Sequence, residues 1–331
     1  MKINNTHSHR DEAIDVAKAV GIVLMVIGHC AIPGLLRNAI FSFHMPLFFI
    51  FSGYFFKEQE TVSLFKKGYS QLVKPYILTG VVCVCLCLIA QEYNKGLQKI
   101  VGLLLGSGSG HILGYEVPII GPIWFLLALF WCKIFYNIIY KKTHRPLLCC
   151  FLISTLAFVF GKYVMCLPLG LLYGLCSLIF YSMGHYMRLY GHNSLINKYL
   201  WVGLAIWLLC IWKGHLEIAS YDCSLYPVSM LGAFVGTYVV YKCSSKIPRF
   251  MMPIAQWLGR NTLLILCYHT IYFFVFLLLK KYFFIPKNIE MDGLLIMIIC
   301  CVLSFGLPYI HVQVKNLLHK YKSQGQILIQ S

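Results

Sequence analysis

The chain of 331 residues has few charged residues and even fewer acidic ones. Charged residues make up 12% of the sequence, with 11 Asp and Glu against 28 Lys and Arg. That charged share is about half the share of an average soluble domain, which argues against an ordinary globular protein. The 15 cysteines include no pair with CxxC spacing. The sequence therefore predicts no metal site, and we interpret the cysteines as small apolar packing residues.

Long apolar runs take the place of the missing charge. Hydrophobic residues make up 59% of the chain, and its mean hydropathy is +0.74. A helix needs about 20 apolar residues to cross a bilayer core of about 30 Å. The pattern predicts an all-α, polytopic membrane bundle of about ten transmembrane helices. These cover roughly 13–32, 36–56, 75–93, 122–140, 146–164, 167–187, 199–213, 225–242, 261–279 and 292–312.

The basic residues between these spans predict an orientation. With the N-terminus inside, nineteen Lys and Arg fall on the cytoplasmic side and eight on the outside, and Lys133 lies within the fourth span. Cytoplasmic loops are enriched in Lys and Arg, so we expect both termini in the cytoplasm. We attribute the net charge of +17 to this topology and to attraction by anionic membrane lipid. Nucleic acid is not expected as a partner, since we find no soluble basic domain.

The chain contains no second globular segment or low-complexity linker, so we expect one membrane domain over 1–331 with its core at 10–312. Two stretches depart from plain apolar helix. Residues 57–74 are basic and amphipathic, and are expected to lie along the cytoplasmic interface. Residues 94–121 form an external loop with a glycine-rich centre that is apolar enough to fold back against the bundle.

Three ionisable residues share one face of the first helix. At 100° per residue, Lys18 and His29 are separated by a net rotation of about 20°, and Asp15 and His29 by about 40°. Lys18 and His29 lie about 16 Å apart along the axis. Ionisable groups inside a membrane are costly and indicate a functional site. This spacing fits a long ligand that has an anionic head near Lys18 and a reactive tip near His29.

Histidine is the candidate for acid–base chemistry deep in the membrane, because the predicted spans contain almost no carboxylate. His44 lies in the second segment, kinked at Pro46, and can approach His29 because the linker between the two helices is short. His269 lies in a late segment. Structural alternatives stay open for all three: His29 can simply cap the end of its helix through a hydrogen bond, and His44 and His269 can form a bridge between helices.

Two further residues are possible substrate-site residues. Ser52 precedes Gly53 at a point where another helix or a ligand can approach closely, although packing of small residues explains the pair as well. Trp124 opens the fourth span near the outer interface, where an aromatic anchor is the simpler interpretation.

Five motifs together resemble one family. In chain order they read IDVAKAVGIVLMVIGH, FSFHMPLFFIFSGYFF, VKPY, GPIWFLLALF and GRNTLLILCYH. The set, which runs from Ile14 to the helix that contains His269, resembles the membrane acyltransferase 3 family. It is most similar to the short stand-alone members that acylate cell-surface or exported carbohydrate. The first two motifs are specific in combination, whereas the others are weak alone.

The resemblance implies a ten-helix enzyme of the bacterial cytoplasmic membrane. Such an enzyme moves an acyl group, usually acetyl, from cytoplasmic acyl-CoA to a hydroxyl of a glycan or glycolipid. The family's histidines fall on His29, His44 and His269, and its basic residue, often arginine, falls on Lys18. Lysine keeps the charge but loses the planar fork of arginine.

From these positions we expect His29 and His44 to be catalytic and acetyl-CoA to be the acyl donor. Lys18 is expected to bind the donor together with Lys66, Lys67 and Lys74, three of the four lysines in the cytoplasmic stretch 57–74. Asp15, Ser52, Trp124 and His269 complete the predicted site.

Two questions stay open on the sequence alone. His29 can act as a general base on the acceptor hydroxyl, or it can carry the acyl group covalently. A transporter of a glycan intermediate or an acyl-containing lipid, with histidines as a proton relay, is the alternative function. The lack of an inverted repeat and of buried carboxylates makes proton-coupled transport less natural. The sequence does not specify the acceptor or the oligomeric state.

Overall fold

The computed structural model describes residues 11–30, 32–112, 115–163, 168–190, 198–282 and 293–330. Residues 1–10 and 331 of the predicted domain lie outside the described residues. So do residues 31, 164, 167 and 292, which fall within or at the ends of predicted spans. About 80% of the chain is helical, which confirms the all-α class.

Most of the described residues belong to α-helices. In chain order they are α1 (Glu12–Gly28), α2 (Gly34–Phe41), α3 (His44–Tyr54), α4 (Thr61–Gly68), α5 (Lys74–Ile89), α6 (Tyr93–Leu105), α7 (Trp124–Lys142), α8 (Pro146–Gly161), α9 (Leu171–Cys176), α10 (Leu178–Tyr190), α11 (Leu200–Lys213), α12 (Val228–Ser244), α13 (Met252–Arg260), α14 (Thr262–Tyr282) and α15 (Gly293–Gln330).

Strands are limited to two small antiparallel hairpins in the part of the chain that the structure describes. One pairs β1 (His111–Ile112) with β2 (Tyr115–Glu116), and the other pairs β3 (Leu216–Glu217) with β4 (Asp222–Cys223).

Each of the ten predicted apolar segments contains at least one helix. Among the described residues, three helical stretches are long and apolar enough to cross a membrane by length and composition: Gly34–Tyr54, Thr61–Ile89 and Trp124–Lys142. Shorter apolar helices occupy several of the other segments. The multi-pass character agrees with the sequence, while the number of ten spans stays a prediction.

The second predicted segment is broken earlier than Pro46. Phe43 has a non-helical φ of −145°, so α2 ends at Phe41 and α3 begins at His44. Proline lacks an N–H and cannot donate to the carbonyl four residues before it, which favours a helix start just upstream of Pro46. His44 therefore lies at the first position of a helix rather than within a continuous one.

The predicted interfacial stretch 57–74 belongs largely to a longer helix. A π-helical turn, Tyr69–Val73, joins α4 to α5, so that the helical stretch runs from Thr61 to Ile89. Leu64 faces the protein interior, whereas Lys66 and Lys67 remain exposed. A helix therefore carries these lysines, and the position of the stretch along the cytoplasmic interface stays a prediction.

Small residues allow the central helices to approach closely. A methyl group at Gly53 of α3 would clash with the carbonyl of Tyr181 in α10, and one at Gly184 would clash with the carbonyl of Ile50. Close contacts of this kind are typical of helix packing in membranes. Gly53 is therefore a packing residue, which is the simpler of the two explanations that the sequence offered for Ser52 and Gly53.

The segment 94–121 packs on the helices rather than extending away from them. Val117 and Ile120 are buried in the main core, and the Lys99 ammonium donates a hydrogen bond to the Ile119 carbonyl at 2.7 Å. Gly106 and Gly121 have φ of +69° and +98°, which side chains rarely tolerate. The segment with these turns therefore folds back against the helix bundle, as the sequence predicted.

Candidate active site: two adjoining cavities

Two cavities lie next to each other between the central helices. The Lys18 cavity has a volume of about 470 Å³ and is lined by residues around Lys18. The His29 cavity has a volume of about 820 Å³ and is lined by residues around His29. Met25, Met45 and Leu266 line both cavities. The two ends of the polar face of α1 therefore open into adjoining spaces.

The Lys18 cavity combines aromatic walls with positive charge. Its walls include Phe48, Phe51 and Phe125, and four lysines line it: Lys18, Lys57, Lys67 and Lys133. The Lys18 ammonium lies 5.6 Å from the centroid of the Phe55 ring, a cation–π arrangement. This composition suits a ligand that has both an anionic part and an extended apolar part.

The lysines of the predicted donor site are only partly brought together. Lys18 and Lys67 line the Lys18 cavity, whereas Lys66 and Lys74 are not among its lining residues. Lys57 and Lys133 line it although the sequence did not single them out as ligands. Lys133 had a visible signal, since it is the one basic residue in the middle of an apolar span.

His29 is the C-cap residue directly after α1, and it lines the His29 cavity. Its Nδ1 lies 2.8 Å from the Met25 carbonyl oxygen. A carbonyl can only accept, so Nδ1 carries the proton and donates it. The neutral ring then has an unprotonated Nε2, the form required of a base or a nucleophile. Met25, whose carbonyl accepts this hydrogen bond, lines both cavities, whereas His29 lines the His29 cavity alone.

His44 has the same hydrogen-bond arrangement at the start of α3. Its Nδ1 donates to the Ile40 carbonyl at 2.9 Å, and its ring meets Phe41 edge to face at 4.9 Å. The side chain is buried yet lines the His29 cavity. Neutral His44 therefore also presents Nε2 as a hydrogen-bond acceptor.

His269 stands beside His29 without lining either cavity. The two rings are in edge-to-face contact with centroids 5.2 Å apart, and His269 is fully buried. Its Nδ1 is 2.9 Å from the Ser304 hydroxyl of α15. The structure therefore brings the late histidine to the first helix, as a neighbour of His29 rather than as a lining residue.

The other three predicted site residues take different positions. Asp15 is buried and forms an ion pair with Arg260 at 3.5 Å, away from the lining of both cavities. Ser52 lines the Lys18 cavity. Trp124 lines the His29 cavity and packs against Tyr173 at 4.9 Å, so its ring is buried within the protein.

Sequence reasoning missed the charged residues of the His29 cavity, which are Arg37, Lys95, Lys99 and Glu217. The three basic residues had been counted only as charges of external loops. Glu217 belongs to the β3–β4 hairpin, and its carboxylate lies 3.5 Å from the His215 ring. This contact raises the pKa of His215 and lowers the pKa of Glu217.

Among the described residues, no group of three or more His, Cys, Asp or Glu side chains is arranged to hold a metal ion.

One comparison with known proteins gives a match. A family model described as an acyltransferase domain matches residues 11–312, which is most of the chain. Neither a curated protein nor a solved structure matches. The matched range contains both cavities and all of the site residues discussed above.

Proposed function

We propose that this chain, which belongs to the membrane acyltransferase 3 family, is an acyl-CoA-dependent O-acyltransferase. Acetyl is the group we expect it to transfer, and a hydroxyl of a cell-surface or exported glycan or glycolipid is the acceptor. The observation that carries this proposal is the position of His29, with an unprotonated Nε2, in a cavity that shares Met25, Met45 and Leu266 with the basic Lys18 cavity.

The Lys18 cavity is proposed to hold the donor. Phosphates of coenzyme A suit Lys18, Lys57, Lys67 and Lys133, since ammonium groups bind phosphate as point charges. The pantetheine arm is an extended, largely uncharged chain that fits between the aromatic walls. Eleven residues of α1 separate Lys18 from His29 by about 16 Å, comparable to the length of that arm. The thioester then lies near Met25 and His29.

The His29 cavity is proposed to hold the acceptor. Nε2 of His29 takes the proton of the acceptor hydroxyl as the hydroxyl oxygen forms a bond to the thioester carbonyl carbon. The carbon–sulfur bond breaks, the thiolate of coenzyme A leaves, and it receives the proton from His29. We favour this general-base route over a covalent acyl-histidine because His29 lines the acceptor cavity itself.

His44 is proposed to position the acceptor. With its proton on Nδ1 and directed to Ile40, the neutral ring has no N–H at Nε2 to stabilise an oxyanion. Its Nε2 can accept a hydrogen bond from a hydroxyl of the acceptor. Stabilisation of the oxyanion by His44 would instead require a proton on Nε2.

We also propose that the chain crosses the bacterial cytoplasmic membrane ten times with both termini in the cytoplasm. The excess of basic residues on one side supports this orientation, which places the Lys18 cavity next to cytoplasmic acyl-CoA. Reporter fusions after Tyr321 test it. A C-terminus outside the cell would overturn the orientation and the cytoplasmic position of Lys18.

The function itself is tested with purified protein in lipid nanodiscs. We expect labelled acetyl-CoA to be consumed with transfer of the label to glycan extracted from cells that lack the gene. Mass spectrometry of surface glycans from cells with and without the gene then identifies the acceptor. Passage of glycan across vesicle membranes without consumption of thioester would contradict the enzyme and favour a transporter.

A further inference from the structure

The His29 cavity is rich in positive charge for a space next to a proposed sugar hydroxyl. Arg37 comes from α2, and Lys95 and Lys99 come from α6. Lys95 and Lys99 are four residues apart, so they lie on the same face of α6. Glu217 is the one carboxylate among the described residues that line this cavity.

The carboxylates near these cations offset only part of their charge. Glu217, whose carboxylate also interacts with the charge of Arg37, is bound on the hairpin by His215 at 3.5 Å and accepts a hydrogen bond from the Ser220 hydroxyl at 3.2 Å. Glu92 pairs with Lys95 at 3.5 Å, but both side chains are about half exposed and Glu92 does not line the cavity. Solvent screens an exposed ion pair of this kind, so it holds Lys95 only weakly.

Two of the cations are held in place by neighbouring groups. The Arg37 guanidinium stacks on the Phe41 ring at 4.6 Å. The Lys99 ammonium is hydrogen-bonded to the Ile119 carbonyl, and its partial burial lowers its pKa. A cation that has lost part of its hydration is stabilised by an anion that binds next to it.

The cavity also has the size and position of a ligand site. Its volume of about 820 Å³ lies within the range of small-molecule pockets. His29 and His44 line the same space as the three cations. A hydroxyl that reaches His29 therefore belongs to a molecule whose remainder is surrounded by Arg37, Lys95 and Lys99.

We propose that the His29 cavity binds an anionic acceptor, a glycan whose carboxylate or phosphate group is held by Arg37, Lys95 and Lys99 while its hydroxyl lies at His29. The inference rests on the proposed function and names the class of its acceptor. Two sources supply this chemistry, an acidic sugar within the glycan or the diphosphate that joins a glycan to a lipid carrier.

Binding of defined probes to the full-length protein in nanodiscs separates these sources. The carboxylate probe is methyl glucuronide, with methyl glucoside as its neutral counterpart. The diphosphate probe is glucose joined through diphosphate to a short isoprenoid chain, with the same chain in ether linkage to glucose as its neutral counterpart. We expect one anionic probe to bind at least about tenfold more tightly than its counterpart, which corresponds to one charge-assisted hydrogen bond. The preferred probe identifies the source.

Substitutions of the cavity's basic residues test which side chains bind the anionic group. Arg37→Gln and Lys99→Gln are expected to remove most of the preference for the anionic probe, and added salt should weaken it. Lys213→Gln is the matched control, because Lys213 is also predicted to be outside but does not line the cavity. Equal binding of anionic and neutral probes, or a preference that survives Arg37→Gln and Lys99→Gln, would overturn the inference.

The inference and the proposed function fail in different experiments. Consumption of acetyl-CoA that does not depend on His29 would overturn the proposed function whatever the probes do. A wild-type enzyme that transfers acetyl but binds anionic and neutral probes equally would overturn the anionic acceptor alone.

Discussion

The imidazole rings of His29 and His269 meet edge to face, with 5.2 Å between their centroids and an angle of 66° between their planes. The two histidines are 240 residues apart in the chain. His269 is buried on the Ser304 hydroxyl, so it forms a fixed surface against which the ring of His29 packs. We infer that His269 positions His29.

The first prediction concerns this contact. His269→Ala should lower kcat about tenfold, because an edge-to-face pair contributes about 0.5–1.5 kcal/mol. The KM for acyl-CoA should not change, since His269 lines neither cavity. His269→Phe keeps a ring at this position and should recover part of kcat. A variant with normal kcat, or one in which KM alone rises, would contradict the positioning role.

The second prediction compares the two histidines that line the His29 cavity. His29→Gln should reduce acyl transfer by about 10²–10⁴, the usual contribution of a general base. His44→Gln should have a smaller effect, chiefly on the KM for the acceptor, because His44 is proposed to bind rather than to transfer a proton. Turnover is measured with equal amounts of purified protein.

The matched control for this pair is His144→Gln. His144 is an exposed residue between α7 and α8 and lines neither cavity. We expect its turnover to equal that of the wild type. Near-normal transfer by His29→Gln would remove His29 from the chemistry and direct attention to His44.

The third prediction distinguishes two adjacent lysines. Lys67→Ala should raise the Kd for acyl-CoA, because Lys67 lines the Lys18 cavity, whereas Lys66→Ala should not. Both substitutions remove one positive charge from the same turn of α4, so a general electrostatic effect would change both equally. Lys18→Ala should also weaken binding, and Lys18→Arg should retain much of it. Equal Kd values for all four variants would argue against the donor cavity.

The fourth prediction concerns Asp15, which the structure pairs with Arg260. Arg260→Ala leaves a buried carboxylate without this cation and should destabilise the protein by roughly 1 kcal/mol, since Arg260 is half exposed. Adding Asp15→Asn to Arg260→Ala should restore thermal stability in detergent. The Kd for acyl-CoA should stay unchanged in the double variant. A raised Kd there would return Asp15 to the substrate site.

The fifth prediction is a pH dependence of the β3–β4 hairpin. The hydrogen bond with Glu217 is the main cause of the raised pKa of His215 and of the lowered pKa of Glu217. The ion pair therefore stabilises the hairpin at pH values between the pKa of Glu217 and the pKa of His215. Its contribution is lost as the pH rises through the folded pKa of His215, or falls through that of Glu217.

Hydrogen exchange of residues 214–224 measures this effect. Exchange corrected for its intrinsic pH dependence should become faster above the pKa of His215, while the Pro146–Gly161 helix serves as internal control. Glu217→Gln should remove most of the change and leave the smaller contribution of Asp222, whose carboxylate lies 3.9 Å from the His215 ring. A pH response that persists undiminished in Glu217→Gln would contradict the role of Glu217.

Much of this molecule follows from local sequence. Apolar runs of helical length gave the all-α membrane class, because burial of apolar side chains and the need to satisfy backbone hydrogen bonds leave few other solutions in a bilayer. The stripe of Lys18 and His29 also follows from local periodicity, since residues eleven apart share a helix face. The five motifs indicated the family, which the matching model over residues 11–312 confirms.

Contacts between distant helices were decided only by the tertiary structure. Packing selected Lys67, Lys57 and Lys133 for the donor cavity and left Lys66 and Lys74 outside its lining. It likewise paired Asp15 with Arg260, and it brought Lys95 and Lys99 of α6 to the cavity that His29 lines. Periodicity reports which side of a helix a residue occupies, but which neighbour covers that side depends on how the helices pack against one another.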